Sequence, residues 1–480
     1  ANGDPSNDPQ GEVDPISGAR RDTYPWAQPA AASSRMQIPF YGGDLKGVEE
    51  HLDYLKDLGI NAIYLNPVFD AWTNHRYDVR DYFKVDPTLG GDEALASLSG
   101  ALKRLGMRYV LDIVPNHCGF GHPWFLKARQ DPRSEEASYF YLNQGSAEYA
   151  TWMGVPSLPK LNYASEGLKK RIYGPEGVFS YWLKPPFDAD GWRVDVGNML
   201  GRHQTDDYSQ EVIQGIRASV KQTKPDAYLF GENFFEASSQ LQGDQWDGVM
   251  NYMGFSNPLL AWLKPQRMGA IGYSGRLESH QRWQTATLVK AWMDHLAAIP
   301  WSITLQQYNL LSGHDTPRVK TILEADPDLL RLAYVALFAF PGIPSVYYGD
   351  EIGMEDLETF GPRACMLWDE KDWDLDFLAF MKDLIKLRKT NKAMTKGGFQ
   401  ILHWEEDLLI FQRELAGEQV LVSLCRAENA AQSREIAVPE AGILDGSFES
   451  LWGSQRLEVK QKLLQMPIIH KGGAVYLRKR

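Results

Sequence analysis

From about residue 50 to 390, short apolar, β-rich runs alternate with stretches in which apolar residues recur every three or four positions. The runs Asn61–Pro67, Arg108–Val114, Gly191–Val196, Ala227–Glu232, Gly248–Tyr252, Tyr308–Ser312 and Ser345–Tyr348 are mostly continuous in apolar character. Parallel strands buried on both faces have that character. Between them, Val48–Leu58 and Asp92–Leu105 carry helical periodicity. This βα alternation predicts an α/β fold, a (β/α)8 TIM barrel. Those runs supply seven strands, and the eighth is expected before residue 1.

One connection is too long for a βα loop. The segment between Val114 and Gly191, rich in Gly, Pro and aromatics, predicts a small inserted domain after the third strand. From about residue 396 the pattern turns to short alternating runs: Phe399–His403, Leu408–Arg413, Gln419–Leu424, Glu435–Val438 and Ala474–Leu477. These predict a C-terminal all-β sandwich domain. The expected limits are 1–117 and 176–395 for the barrel, 118–175 for the excursion and 396–480 for the sandwich. The start, Asn2-Gly3-Asp4-Pro5-Ser6-Asn7-Asp8, reads as the middle of a loop with sequence expected upstream, and no signal-peptide pattern opens it.

A net charge of −12, from 50 basic and 62 acidic side chains, argues against a nucleic-acid partner, which needs a basic face. No apolar run reaches the roughly 18 residues of a membrane span. Three cysteines without metal-like spacing, Cys118, Cys365 and Cys425, favour a reducing cytoplasm over a disulfide framework. No organic cofactor motif is present. Gly349-Asp-Glu-Ile-Gly353 lacks the lysine of a phosphate loop. Trp72, Trp152 and Trp182 read first as core rings, with lining of glucose subsites as the alternative.

Ionisable residues gather where strands end: Asp112-Ile-Val-Pro-Asn116-His117, Arg193-Val-Asp195, Glu232, and Gly313-His314-Asp315-Thr316. In a (β/α)8 barrel those ends converge on the catalytic face. Glycoside cleavage needs a carboxylate beneath the anomeric carbon and a proton donor beside the leaving oxygen. Arg193 and Asp195, two apart on an extended strand, point to the same side, and a close guanidinium favours an ionised Asp195. Glu232 on the next strand would supply the proton, and Asp315, His314 and His117 would hold sugar hydroxyls.

The same segments, DIVPNH (112–117), GWRVDV (191–196), GEN (231–233) and GHDT (313–316), resemble the four signature regions of the α-amylase family of glycoside hydrolases. The resemblance implies a retaining reaction with Asp195 as nucleophile, Glu232 as general acid/base and Asp315 as transition-state stabiliser. It further implies Arg193, His117, His314, Arg318, Tyr77 and Asp78 at the substrate, with Tyr77 stacked under the reacting sugar. The long excursion corresponds to the family's domain B.

Leu158-Pro159-Lys160-Leu161-Asn162 resembles the MPKLN segment of the neopullulanase and maltodextrin glucosidase subgroup. Met199 and Phe234 resemble the maltodextrin glucosidase side of it, which implies release of glucose from α-1,4-maltodextrins, with Phe234 at the substrate. The alternatives are a cyclomaltodextrinase or neopullulanase cutting internally, a transglucosylase, and more remotely a non-catalytic glycan-binding barrel. The start of the chain resembles the subgroup's calcium site. Asn2, Asp4, Asn7, Asp8, Gly42 and Asp44 would supply the oxygen ligands that a hard cation takes. A monomer or homodimer acting on an oligosaccharide is expected.

Overall fold

The continuous apolar runs do form parallel strands. In the computed structural model β1 (Ala62–Tyr64), β2 (Arg108–Ile113), β3 (Gly191–Val194), β4 (Tyr228–Gly231) and β5 (Gly248–Val249) make one sheet in the order β5-β4-β3-β2-β1. Every pair is parallel, and sequence neighbours are spatial neighbours, as in a barrel wall. Tyr109–Ile113 and all of β3 are buried. The structure describes residues 2–13, 18, 20–26, 39–143, 148–265, 281–356, 361–429, 432–439, 443–452 and 454–478. The chain divides into two compact units, Ala1–Asn233 with Ser239–Val249, and Phe234–Ser238 with Met250–Arg480.

In the first unit, the helix of Gly91–Arg104 buries Leu95, Leu98, Ala101 and Leu102 on one face. Each buried leucine there stabilises the fold by about 2 kcal/mol. The single helix expected over Val48–Leu58 is corrected to two, Leu45–Glu50 and Leu52–Leu58. His51 leaves helical geometry between them (φ −107°, ψ 15°), with Nδ1 2.7 Å from the Gly47 carbonyl. Asp44 caps the first of these helices by accepting the Gly47 N–H. After β2 the chain leaves for the inserted domain, with helices at Pro123–Gln130 and Glu166–Tyr173. The bridge His117↔Lys160 ties its inner segment to the end of β2, and Thr151↔Pro159 pairs that segment within the domain.

In the second unit β6 (Tyr308–Asn309) and β7 (Ile343–Pro344) pair in parallel, and Met250 bridges Tyr308 in the same sense. The last of these strands therefore starts before the expected Ser345–Tyr348. The ladder ends where the Ser345 N–H donates to the Asn309 carbonyl, and Gly349 (φ 84°) then opens a turn. In the helix of Pro327–Ala339 the stretch from Leu332 onward is apolar and buried on every side.

The C-terminal region is an eight-stranded antiparallel sheet: β8 (Gly398–Glu405), β9 (Leu408–Leu415), β10 (Glu418–Cys425), β11 (Arg434–Ala437), β12 (Gly446–Ser450), β13 (Arg456–Lys460), β14 (Leu463–Met466) and β15 (Gly472–Arg478). Its order is β8-β9-β10-β15-β12-β13-β14-β11. Leu402 and Ile436, from opposite ends of that order, share one core with Phe448 and Tyr476, so the sheet wraps around a single apolar centre. Strands β12, β13 and β14 were not expected. Each buries at most two side chains, too weak a pattern to stand out in the sequence. Among the described residues no helix is long and apolar enough to cross a membrane.

Candidate active site

The ladder that aligns β2, β3 and β4 continues one step past their ends. The Asp195 N–H donates to the Ile113 carbonyl and the Glu232 N–H to the Val194 carbonyl, both at 2.9 Å. Register sets Asp112 and Phe230 on either side of Arg193. Arg193 Nη1 donates to Asp195 Oδ1 at 2.8 Å and to Asp112 Oδ2 at 3.0 Å. Nη2 lies 2.6 Å from Glu232 Oε1, a close ion pair whose N–H does not point along a hydrogen bond. All four side chains are buried, Arg193 and Asp112 completely.

One guanidinium thus serves three carboxylates. Burial, and after it the charge of Glu232, push the Asp195 carboxyl well above the ordinary aspartate range. Arg193 opposes them without winning, because its single charge is divided. The expectation that Arg193 alone would keep Asp195 readily ionised is corrected accordingly.

Tyrosines close the cluster's far side. The Tyr64 hydroxyl donates to Asp112 Oδ2 at 2.5 Å and the Tyr77 hydroxyl to the same oxygen at 3.3 Å. The Tyr77 ring centre lies 5.9 Å from Arg193 Cζ, and its N–H donates to His75 Nδ1. Asp78 accepts from the Trp72 and Thr73 N–H groups and the Thr73 hydroxyl. It closes the 72–78 loop that presents Tyr77, and burial raises its carboxyl to about 6.

Beyond Asp195 the backbone turns sharply. Val196 has φ 49°, a left-handed conformation that a β-branched residue adopts only under constraint. Its N–H donates to Glu232 Oε2 at 2.8 Å.

His117 sits at the end of the β2 segment, 1% exposed. Burial, assisted by the charge of Lys160, drops its pKa to about 3, so the ring is neutral. Its Nδ1 meets the Asn116 amide at 3.1 Å, while Nε2 makes no side-chain hydrogen bond among the described residues. Lys160 Nζ donates to Asn116 Oδ1 at 2.6 Å, and the Trp152 ring stacks on His117 with centres 5.5 Å apart. Trp182, by contrast, is a core ring bonded to the Tyr82 carbonyl. Sequence reasoning passed over Asp112, Tyr64 and Asn116 as site residues, and took Lys160 only as a signature. The first lay inside a quoted motif, but Tyr64 carried no signal.

In the second unit His314 Nε2 lies 2.9 Å from Asp315 Oδ2. Arg363, not foreseen, donates through Nη2 to Asp315 Oδ1 at 2.9 Å and through Nε to the His314 carbonyl at 2.8 Å. Phe234 is half-buried against Tyr252, ring centres 5.3 Å apart. Arg318, expected at the substrate, is fully buried. It donates to the Tyr348 and Pro362 carbonyls and to Asp350 Oδ1, and so holds the Tyr348–Asp350 turn.

The expected cation ligands are neighbours. Asn7 Nδ2 lies 3.2 Å from Asp44 Oδ2, the Gly42 N–H donates to Asp8 Oδ2 at 2.7 Å, and a Cβ on Gly42 would strike the Gly3–Asp4 backbone. The Asn2 side chain accepts the Asp4 N–H, and Asp4 accepts that of Ser6. Among the described residues no group of three or more His, Cys, Asp or Glu forms a metal cage. A cation here would lean on amide and carbonyl oxygens beside the carboxylates, a donor set that calcium accepts.

Residues 2–374 match the family model for the α-amylase catalytic domain. The cyclomaltodextrinase of Geobacillus thermopakistaniensis (strain MAS1) is 33% identical over 441 residues, 90% of this chain and 68% of that protein. The intracellular maltogenic amylase of Bacillus subtilis is 33% identical over 400 residues, 82% of this chain and 63% of that one. The crystal structure of the debranching enzyme from Nostoc punctiforme superposes with a TM-score of 0.79 at 31% identity, covering 91% of this chain and 89% of that one. With its parallel strands, its excursion after β2 and its antiparallel C-terminal sheet, this chain belongs to the α-amylase family of glycoside hydrolases and has that family's (β/α)8 barrel fold.

Proposed function

We propose that the protein hydrolyses α-1,4-linked maltooligosaccharides and maltodextrins with retention of configuration, working from the chain end and releasing glucose. The observation that carries the chemistry is the grip of Arg193 on Asp195 and Glu232 at once. Two carboxylates held by neighbouring nitrogens of one guanidinium suit the close spacing, about 5 Å, of a retaining pair. Asp195 attacks the anomeric carbon while Glu232 gives its proton to the leaving glycosidic oxygen. Water then opens the glycosyl ester, losing its proton to Glu232 and releasing Asp195 as a carboxylate. Neutral His117, whose Nε2 makes no side-chain hydrogen bond among the described residues, would offer that nitrogen to a sugar hydroxyl. Asp315 takes the stabilising role implied by its segment, its carboxylate oriented by Arg363 and His314.

Chain-end action is supported by Met199 and Phe234. A second reading, internal cleavage of cyclic glucans, is favoured by the relatives named cyclomaltodextrinase. A product time course on maltotriose through maltoheptaose, beside β-cyclodextrin, separates the two. Glucose as the first product supports the first reading. Rapid ring opening with maltose as the main product would overturn it.

Calcium, where bound, would tie the 2–8 segment to the 42–44 turn through Asn2, Asp4, Asn7, Asp8, Gly42 and Asp44. A cytoplasmic location is supported by three free thiols and by a relative named intracellular.

A further inference from the structure

The segment that follows β2 is gripped along its backbone. His117 pairs with Lys160 in an antiparallel bridge. On either side the Cys118 N–H donates to the Pro159 carbonyl and the Leu161 N–H to the Asn116 carbonyl. The Tyr82 hydroxyl shares its hydrogen between the Val114 and His117 carbonyls, and the Tyr163 hydroxyl donates to that of Pro115. This register sets the Lys160 side chain against that of Asn116, both of them buried. A buried ammonium is costly unless oxygens meet it. Two do, Asn116 Oδ1 at 2.6 Å and the Met199 carbonyl at 3.4 Å. Burial brings the Lys160 pKa down to about 8, so the group keeps its charge at neutral pH.

The hydrogen-bonding capacities of these groups leave one arrangement. An ammonium donates and never accepts, so the Asn116 atom beside it must be the amide oxygen. The amide nitrogen then faces His117 Nδ1 at 3.1 Å. That nitrogen only donates, so Nδ1 must carry the lone pair. Burial, and after it the charge of Lys160, keep the ring neutral, with a single proton whose remaining place is Nε2. Of the other groups that act on the ring, the Tyr77 backbone favours a bound proton and His75 opposes a second charge. The Trp152 ring stacked on His117 is neutral. His203, which also feels the Lys160 charge, is held toward its own neutral form by burial and then by that charge.

We propose that Lys160 is a positioning residue: by fixing which way the Asn116 amide faces, it fixes the tautomer of His117, so that Nε2 presents an N–H to a substrate hydroxyl oxygen. The sugar contact rests on the glycosidase reading, whereas the place of the proton can be observed without substrate. A lysine that merely stapled the inserted domain to the β2 segment would leave the tautomer of His117 indifferent to it.

The test is 15N NMR of the histidine-labelled protein at about pH 7, where protonated and lone-pair ring nitrogens are told apart. The His117 signals are those that His117→Gln removes. The unaltered protein should carry the proton on Nε2. Asn116→Asp keeps the shape but turns an acceptor toward the ring, so Nδ1 should become protonated. In Lys160→Met the amide can turn either way, and the two tautomers should mix. In both variants kcat/KM on maltotriose should fall about tenfold, the worth of one hydrogen bond. A proton on Nδ1 in the unaltered protein, or an unchanged tautomer in folded Lys160→Met, overturns the relay. Should Lys160→Met not fold by circular dichroism, Asn116→Asp decides, and a lone pair still on Nδ1 there overturns it. The expected tautomers without any maltotriose hydrolysis by the unaltered protein would instead sink the glycosidase reading alone.

Discussion

Val196 and Glu232 are joined by a 2.8 Å hydrogen bond from the Val196 N–H to Glu232 Oε2, made from a backbone held at φ 49°. A valine there is strained by about 1–3 kcal/mol, and the bond fixes one oxygen of the expected acid/base while Arg193 faces the other. The strain has a direct consequence. Val196→Gly keeps the N–H and relieves the left-handed strain but gives up a buried side chain worth about 1.5–3 kcal/mol, so the loss of stability in denaturant should fall short of that full amount. A loss of stability of that size would show that the turn is not strained.

Asp195→Asn separates chemistry from stability. Removing the nucleophile should lower kcat by at least about 10⁴-fold. The same change should stabilise the fold at neutral pH, because the folded carboxyl titrates well above its unfolded value of about 3.9. Between those two values the folded protein holds a proton that the unfolded chain has released. The carboxylate therefore penalises folding above the higher value, and the penalty disappears as pH falls to the lower one. Denaturant unfolding of both proteins at pH 7 and near pH 4 checks it. The variant's advantage should be present at the first pH and small at the second.

Much of this was legible in the sequence, for physical reasons that also mark the limit. Parallel strands are continuous apolar runs, so β2, β3 and β4 stand out, and acids at their ends fall in short motifs. What sequence could not supply is register. Only the pairing of Asp112 with Arg193 reveals that one guanidinium serves three carboxylates, and it is burial, with the charge of Glu232 after it, that raises the Asp195 carboxyl. The Lys160–Asn116 contact spans 44 positions and depends on how the inserted domain folds back. The partners of Arg318, the Tyr348 carbonyl and Asp350 in a later turn, are likewise invisible before the chain folds.

Asp112→Asn should shift the acid limb of the kcat/KM profile to lower pH. The Asp112 charge helps raise the Asp195 carboxyl, and its removal also frees Arg193 Nη1 from a 3.0 Å contact. Both effects favour the ionised nucleophile, so they act in the same direction. A maltotriose pH profile of the two proteins reads it. A limb that stays in place or moves upward would mean that Asp195 is not the group that sets it.

The proposed calcium site has a test that avoids confusing a cation with a helix cap. Asp44 accepts the Gly47 N–H that starts the Leu45–Glu50 helix, so Asp44→Ala would destabilise the fold with or without metal. Asparagine caps as well as aspartate but brings no charge to a cation. Calcium at about 100 times its Kd should stabilise the unaltered protein by about 2.7 kcal/mol, and a chelator should remove that gain. In Asp44→Asn the chelated baseline should stay within about 0.5 kcal/mol of the unaltered protein, while the calcium increment shrinks by more than half. Thermal or denaturant unfolding with calcium and with chelator measures both quantities. An unaltered protein indifferent to calcium would reduce Asn2, Asp4, Asn7, Asp8, Gly42 and Asp44 to a turn-rich polar junction.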